Sequence, residues 1–290
     1  MARLEAALAG ARRAGFAERT PAVDEEAVLQ AIVQVHDPRL PERLREACRR
    51  APSFFDSADN PISPGTFAAA VAAVGCVLDG LAHIMAGNAP RVFAAVRPPG
   101  HHATRSQAMG FCFFNNVAVA AEAALQKGFG PVAIVDFDVH HGNGTQELFY
   151  HRDDVFYLSL HRYPYYPGTG GADEIGVGRG RGFTRNLPLA PGADDEVYLG
   201  ALALGLEEVM RAMSPHMWLI SAGFDAHELD PLGGMAVTTE GFQKMGKLLA
   251  QAAGSVPVLV VLEGGYNLDA LKESVAAFLS GLSQVGSGSS

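Results

Sequence analysis

The chain has 290 residues, 48% hydrophobic and 18% charged, enough apolar material for one large core in a single domain. A formal net charge of -9 argues against general nucleic-acid binding, which needs a basic face, and suits a cationic substrate or a basic protein tail. Three widely spaced cysteines, Cys48, Cys76 and Cys112, give neither a disulfide framework nor the paired spacing of a cysteine zinc site, so a reducing, cytoplasm-like compartment is expected.

In chain order, Met1 to Gly15 carries Arg3, Arg12 and Arg13 along an amphipathic pattern, unlike a secretory signal, and Arg3–Ala14 reads as a helix. A second helix is predicted over Glu25–Gln34. An Ala-rich one follows over Pro64–Met85, with Ser63 as N-cap and Pro64 as its first-turn proline. Short apolar, β-branched runs then alternate with helical patterns. The runs are Val92–Val96, Val132–Asp136, Val155–Leu160, Met217–Ser221 and Val256–Leu262; the helices are Asn116–Lys127, Asp195–Met213, Thr239–Ala253 and Leu268–Leu282. Near-continuous hydrophobicity marks strands buried on both faces, so an α/β fold is expected, a largely parallel sheet with helices on either side. Apolar runs such as Pro257–Leu262 are strand-sized, which predicts no membrane partner. No repeat or second domain is visible. One catalytic-sized domain over 1–284 is expected, followed by a linker-like, disordered tail over 285–290.

Each of the five runs releases glycine and ionisable residues at its carboxyl end, where open α/β sheets build their sites. The first reaches His101-His102, the second Asp136, Asp138, His140 and Asn143, the third His161. The fourth reaches Asp225, the fifth Glu263-Gly-Gly-Tyr266. In extended backbone Asp138 and His140 face the same way and can grip one cation. Asp225 completes three ligands, which leave a position open for water as in catalytic zinc sites. Taken alone, that pair is as well read as a solvated loop, and the other strand ends tip the balance. Tandem histidines most often lie on a surface. Beside a metal set, Asp136 can keep one cationic and Asn143 leave the other near neutral, as a general base. Tyr266, after two glycines, is either a turn-packing residue or a phenol brought up to donate to an oxyanion. His36, His83, His151 and His216 lack partners in the pattern and read as core or surface residues.

Five ordered strings over roughly Val92 to Leu282 resemble the histone deacetylase family, which includes acetylpolyamine amidohydrolases and acetoin-utilisation proteins. They are Arg-Pro-Pro-Gly-His-His, Gly110-Phe-Cys-Phe-Phe-Asn-Asn116, Asp-Phe-Asp-Val-His-His-Gly-Asn-Gly-Thr, Ala-Gly-Phe-Asp-Ala-His and Glu-Gly-Gly-Tyr-Asn. The form is similar to the class II and bacterial branches. The resemblance implies a three-layer arginase/deacetylase-like fold and a hydroxamate-sensitive, zinc-dependent amidohydrolase. One zinc ion would be held by Asp138, His140 and Asp225. His102 would be general base and then acid, His101 an electrostatic helper paired with Asp136, Asn143 the orienter of His102, and Tyr266 the group that polarises the acetyl carbonyl. Gly110, Phe111 and Tyr166 would line a narrow substrate tunnel with Asp59 on its rim. It also implies a structural potassium ion at Asp136, Asp138, His140, Ser159 and Leu160, and a second around Phe149, Val155 and Phe183. Relatives begin with a β-strand before the first helix, so that strand of the sheet is expected to be missing here.

The expected substrate is acetyl-lysine in a protein, peptide or small analogue, with an acetylated polyamine as the alternative. Two other readings compete: a binuclear manganese hydrolase, for which only Asp225 and the distant Asp230 are on offer, and a non-catalytic acyl-amine-binding protein. Oligomeric state is not encoded in any pattern here.

Overall fold

The computed structural model describes residues 1–50 and 53–284; the tail expected over 285–290 lies outside them. The chain opens with three helices, α1 (Ala2–Arg13), α2 (Glu25–Val35) and α3 (Arg39–Arg50), and a small antiparallel pair, β1 (Phe54–Phe55) and β2 (Ser57–Pro61). There follow α4 (Thr66–Met85), β3 (Arg91–Ala94), α5 (Asn116–Gln126), β4 (Val132–Asp136), α6 (Asn143–Phe149), β5 (Val155–Arg162) and β6 (Thr184–Leu189). The rest is α7 (Asp195–Ala212), β7 (Met217–Ala222), α8 (Thr239–Ala253), β8 (Val258–Leu262) and α9 (Leu268–Ser283). The last six strands form one sheet in the order β3-β8-β7-β4-β5-β6, every neighbour parallel.

Because side chains alternate across a strand, the sheet has two apolar faces, and both are covered. Ala133, Val135, Leu158, Ile220 and Val260 pack with α1, α7, α8 and α9; Ile134, Tyr157, Leu219 and Val261 pack with α4 and α5. A third apolar cluster joins α2 and α3 to the far side of α4. The helices start where side chains satisfy their free N–H groups: Asp24, Asn115, Asp194, Thr238 and Asn267 each accept from the first turn of the helix that follows.

Several sequence expectations change. The alanine-rich helix begins at Thr66 behind Gly65, because Ser63 and Pro64 are in a turn closed by the Thr66 N–H on the Ser63 carbonyl. At 20 residues it is long and apolar enough to cross a membrane by length and composition. Here that hydrophobicity serves two cores at once, with Val77, Leu81 and Ile84 in one and Phe67, Val71 and Val74 in the other. Helix α3 was hidden by its charge and by Pro41, which a first helical turn tolerates; only Leu40, Leu44 and Cys48 mark its buried stripe. Strand β6 was hidden by Pro188, which is acceptable because β6 pairs on one side only, with β5. At the opposite edge, a groove lined by Leu4, Leu8, Phe16, Cys76, Val92 and Phe93 runs along β3.

His36, read from sequence as partnerless, is fully buried at the end of α2. Its Nδ1 donates to the Thr104 carbonyl (2.9 Å) and its Nε2 accepts the Asn115 N–H (2.9 Å). Burial pushes its pKa down to about 4. An unfolded chain takes up this proton below about pH 6.5. The neutral His36 therefore contributes stability that is full above that range and is lost as the pH falls from 6.5 towards 4. In urea melts, His36→Gln, which keeps a donor and an acceptor but does not titrate, should flatten the pH dependence between 6.5 and 4.5. The flattening should approach one proton, about 1.4 kcal/mol per pH unit at most. Identical slopes in both proteins would show that His36 is protonated in the folded state.

Candidate metal centre and pocket

All six parallel strands end at one edge, and the ionisable residues read from the sequence gather there. Asp136 closes β4, but the chain then bends, so Asp138 and His140 are not brought together by strand alternation. The bend does it instead: Asp138 Oδ1 accepts the His140 backbone N–H at 2.9 Å and meets its ring Nδ1 at 3.0 Å. Asp225 arrives from the end of β7. Its Oδ1 accepts the Val139 N–H at 2.9 Å, while its Oδ2, 3.3 Å from His140 Nδ1, is buried without a hydrogen-bond partner. Ligand atoms of Asp138, His140 and Asp225 all lie within 4.8 Å of one another. Two buried carboxylates, one with an orphaned oxygen, and an imidazole form a donor set suited to a small cation such as zinc. Gly264 and Gly223 keep room for it, since a Cβ on either would collide with the Asp138 carboxylate, and on Gly264 with Asp225 as well. The electrostatics agree. Burial and the facing Asp138 raise the pKa of Asp225. Burial opposes a charge on His140, yet its bond to Asp138 and the nearby Asp225 carboxylate outweigh that and raise it to about 11. The cluster demands positive charge.

The tandem histidines stand in opposite states. The loop carrying them is pinned by Glu263 Oε2, which accepts the N–H groups of Gly100 (2.7 Å) and His101 (3.3 Å) and whose own pKa burial raises to about 7. His101 Nδ1 meets Asp136 Oδ2 at 2.9 Å, and Tyr157 donates to the same oxygen at 3.1 Å. Burial opposes charge on His101, but Asp136 and Asp138 prevail and raise it to about 10. The His102 ring lies 4.0 Å away, its Nδ1 2.8 Å from Asn143 Oδ1. Burial first, then the positive charges of His101 and His140, push His102 far down. With Nδ1–H donating to the amide oxygen, Nε2 of a neutral His102 keeps its lone pair.

Above these residues is a pocket of about 180 Å³ lined by Asp59, Gly110, Phe111, Tyr165, Tyr166, Leu232 and Tyr266, with His102 and His140 at its base. Burial, reinforced by Asp225 and Asp138, pushes the Tyr266 hydroxyl up, so it remains a proton donor. One wall is held by its backbone: Asp56, Asp59 and Asn60 accept the N–H groups of Ala108, Gly110 and Phe111. That wall includes Phe111 at a φ of 66° and Gly110, whose missing Cβ leaves space for the His102 ring.

Ser159 and Leu160, expected at the potassium site, lie outside this pocket, buried on β5. There Ser159 pairs with Asp136 in register, and its Oγ meets His161 Nδ1 at 2.9 Å. Phe149 and Val155 are buried in one core cluster, and Phe183 packs on the other. Two supporting residues were missed. Arg3 reaches under the Glu263–Tyr266 loop, donating to the carbonyls of Gly265 (2.6 Å) and Glu263 (2.5 Å) with its guanidinium 5.0 Å from the Tyr266 ring centre. Asp230, weighed only as a metal ligand, instead accepts the Tyr266 N–H at 2.6 Å. Both act on backbone, which leaves no signature in residue spacing.

Residues 1–282 match the family model of the histone deacetylase domain. The chain is 40% identical over 254 residues to the histone deacetylase-like amidohydrolase of Pseudomonas aeruginosa, covering 85% of this chain and 65% of that one. Over 258 residues it is 42% identical to histone deacetylase 15 of Arabidopsis thaliana, covering 88% of this chain and 46% of that protein. It thus spans less than two-thirds of either curated relative. In three dimensions it is similar to the acetylpolyamine aminohydrolase of Burkholderia pseudomallei, with a TM-score of 0.89 at 32% identity over 98% of this chain and 90% of that one.

Elemental analysis should find one transition-metal ion per chain, falling to near zero in Asp225→Ala and Gly264→Ala while far-UV circular dichroism stays unchanged. Zero or two ions in the parent chain would exclude the three-residue site.

Proposed function

The chain belongs to the histone deacetylase family, and on that premise we propose that it is a zinc-dependent deacetylase hydrolysing the acetyl amide of acetyl-lysine in a protein, peptide or small analogue. The observation that carries this reading is the placement of His101 on Asp136 and His102 on Asn143, their ring centres 4.0 Å apart, at the base of a pocket that also presents Asp138, His140 and Tyr266.

Zinc, held by Asp138, His140 and Asp225, would supply Lewis-acid polarisation of the acetyl carbonyl and a more acidic water. The remaining work falls to the chain's own groups. His102 Nε2 takes a proton from the attacking water and returns one to the departing amine nitrogen. Asn143 fixes the tautomer that leaves Nε2 free. His101 stays protonated on Asp136, and its charge opposes protonation of His102 before the reaction while favouring the anionic intermediate. Tyr266 donates to the developing oxyanion, its loop steadied by Asp230 and Arg3. Phe111 and Tyr166, at the mouth, flank a methylene stem.

The same reading places a structural potassium ion at Asp136, Asp138, His140, Ser159 and Leu160, and takes residues 1–284 as one catalytic domain working in a reducing compartment. The second reading, an acetylated polyamine, is favoured by the anionic Asp59 at the mouth and by the likeness to the acetylpolyamine aminohydrolase of Burkholderia pseudomallei. A closed acidic mouth, which a polycation would prefer, is not what the exposed aromatic rim offers: Phe111 and Tyr166 are 41% and 37% exposed.

Comparing kcat/KM for an acetyl-lysine peptide and an N-acetylated polyamine separates the two. The peptide should be preferred, and a polyamine advantage above about tenfold reverses the assignment. In the same assay Tyr266→Phe should retain zinc and lose about 10²–10³-fold in kcat, the usual loss for one oxyanion donor. Near-normal turnover would leave Tyr266 a packing residue.

A further inference from the structure

At the pocket mouth the Tyr166 hydroxyl donates to Asp59 Oδ2 at 2.6 Å, joining a loop to strand β2, 107 residues away in sequence. The same oxygen accepts the Gly110 N–H at 3.1 Å, and the Ser57 hydroxyl holds Oδ1. One carboxylate therefore ties the β2 strand, the Gly110 wall and the Tyr166 loop together. The Tyr166 ring stands edge-on to His102, with centres 5.1 Å apart and planes at 89°, and edge-on to His140 at 6.0 Å. Tyr166 and Phe111 both line the pocket.

The two walls are held differently. Phe111 is fixed through its backbone, whose N–H is taken by Asn60 Oδ1 at 2.7 Å. Tyr166 is 37% exposed, and what anchors the outer end of its ring is the bond to Asp59. A phenylalanine there would fill the same space and lack the anchor. Burial opposes ionisation of Asp59, but its bonds from Ser57, Tyr166 and Gly110 outweigh that and hold its carboxyl below the usual range. Burial and Asp59 push the Tyr166 hydroxyl up. Near neutral pH the bond is thus a neutral donor on an anionic acceptor, the stronger kind.

Resting on the deacetylase reading of the same pocket, we propose that the Tyr166–Asp59 hydrogen bond is a specificity-determining clasp, which pins the aromatic wall beside His102 and restricts the pocket to slender, unbranched acyl-amine stems. A methylene chain passes between Phe111 and Tyr166. A stem carrying an aromatic ring requires the Tyr166 wall to swing outward, which the clasp resists.

Two measurements on the zinc-loaded protein test this in the parent, Tyr166→Phe, Asp59→Ala and the double variant. The first is hydrogen exchange of the Tyr163–Gly170 backbone without substrate, which should rise in both single variants and no further in the double one. The second is the ratio of kcat/KM for two acetylated peptides, one bearing acetyl-lysine and one bearing 4-(acetamidomethyl)phenylalanine. In Tyr166→Phe the ratio should move about fivefold towards the thicker stem, the scale of one hydrogen bond, mainly through KM. In the Asp59→Ala background, the same tyrosine change should have no effect on the ratio. Unchanged exchange overturns the clasp, and altered exchange with an unchanged ratio overturns its role in selectivity. If the parent turns over neither peptide, the deacetylase reading falls and the selectivity with it, while the exchange data still decide whether the bond restrains the wall.

Discussion

Two carboxylates, Asp138 and Asp225, are buried close together at the base of the pocket. Like charges in a low dielectric repel strongly, and burying either alone is costly. Almost everything near the site answers that constraint. Backbone N–H groups of His140, Gly264 and Val139 are spent on their oxygens, and two glycines are required because any Cβ would occupy the space the carboxylates need. His140 is drawn into the charged form by the same pair, and His101 by Asp136 together with Asp138. His102, surrounded by those positive charges, is left neutral. The acid–base character of the pocket is thus a consequence of the cation demand at its base.

Much of this was legible in the sequence, for a physical reason. Strands buried on both faces must be apolar throughout, so the sheet announces itself, and in a parallel sheet the polar residues that follow each strand share one edge. Asp136, Asp138, His140, Asn143, Asp225 and Tyr266 could be grouped on that basis alone. The details of the grouping were not legible. Asp138 and His140 converge through a bend rather than by alternation, and His36 proved to be a fully bonded core residue. Elements whose stability comes from context were lost: α3, whose stripe is three residues wide in a field of charge, and β6, whose proline is harmless only at an edge. Residues that recognise backbone, such as Arg3, Asp230 and Glu263, carry no spacing rule, because any part of the chain can present a carbonyl or an N–H.

The bond between Arg3 and Gly265 spans 262 residues of sequence. Contacts of that separation are the last to become worthwhile during folding, because a long loop must close before they are made. The candidate metal ligands follow the ends of β4 and β7, and the loop that bears Tyr266 is steadied by a side chain from the first helix. The loop that bears Tyr266 is therefore fully supported only once residue 265 is folded against residue 3, so this part of the pocket is completed by the two ends of the chain together.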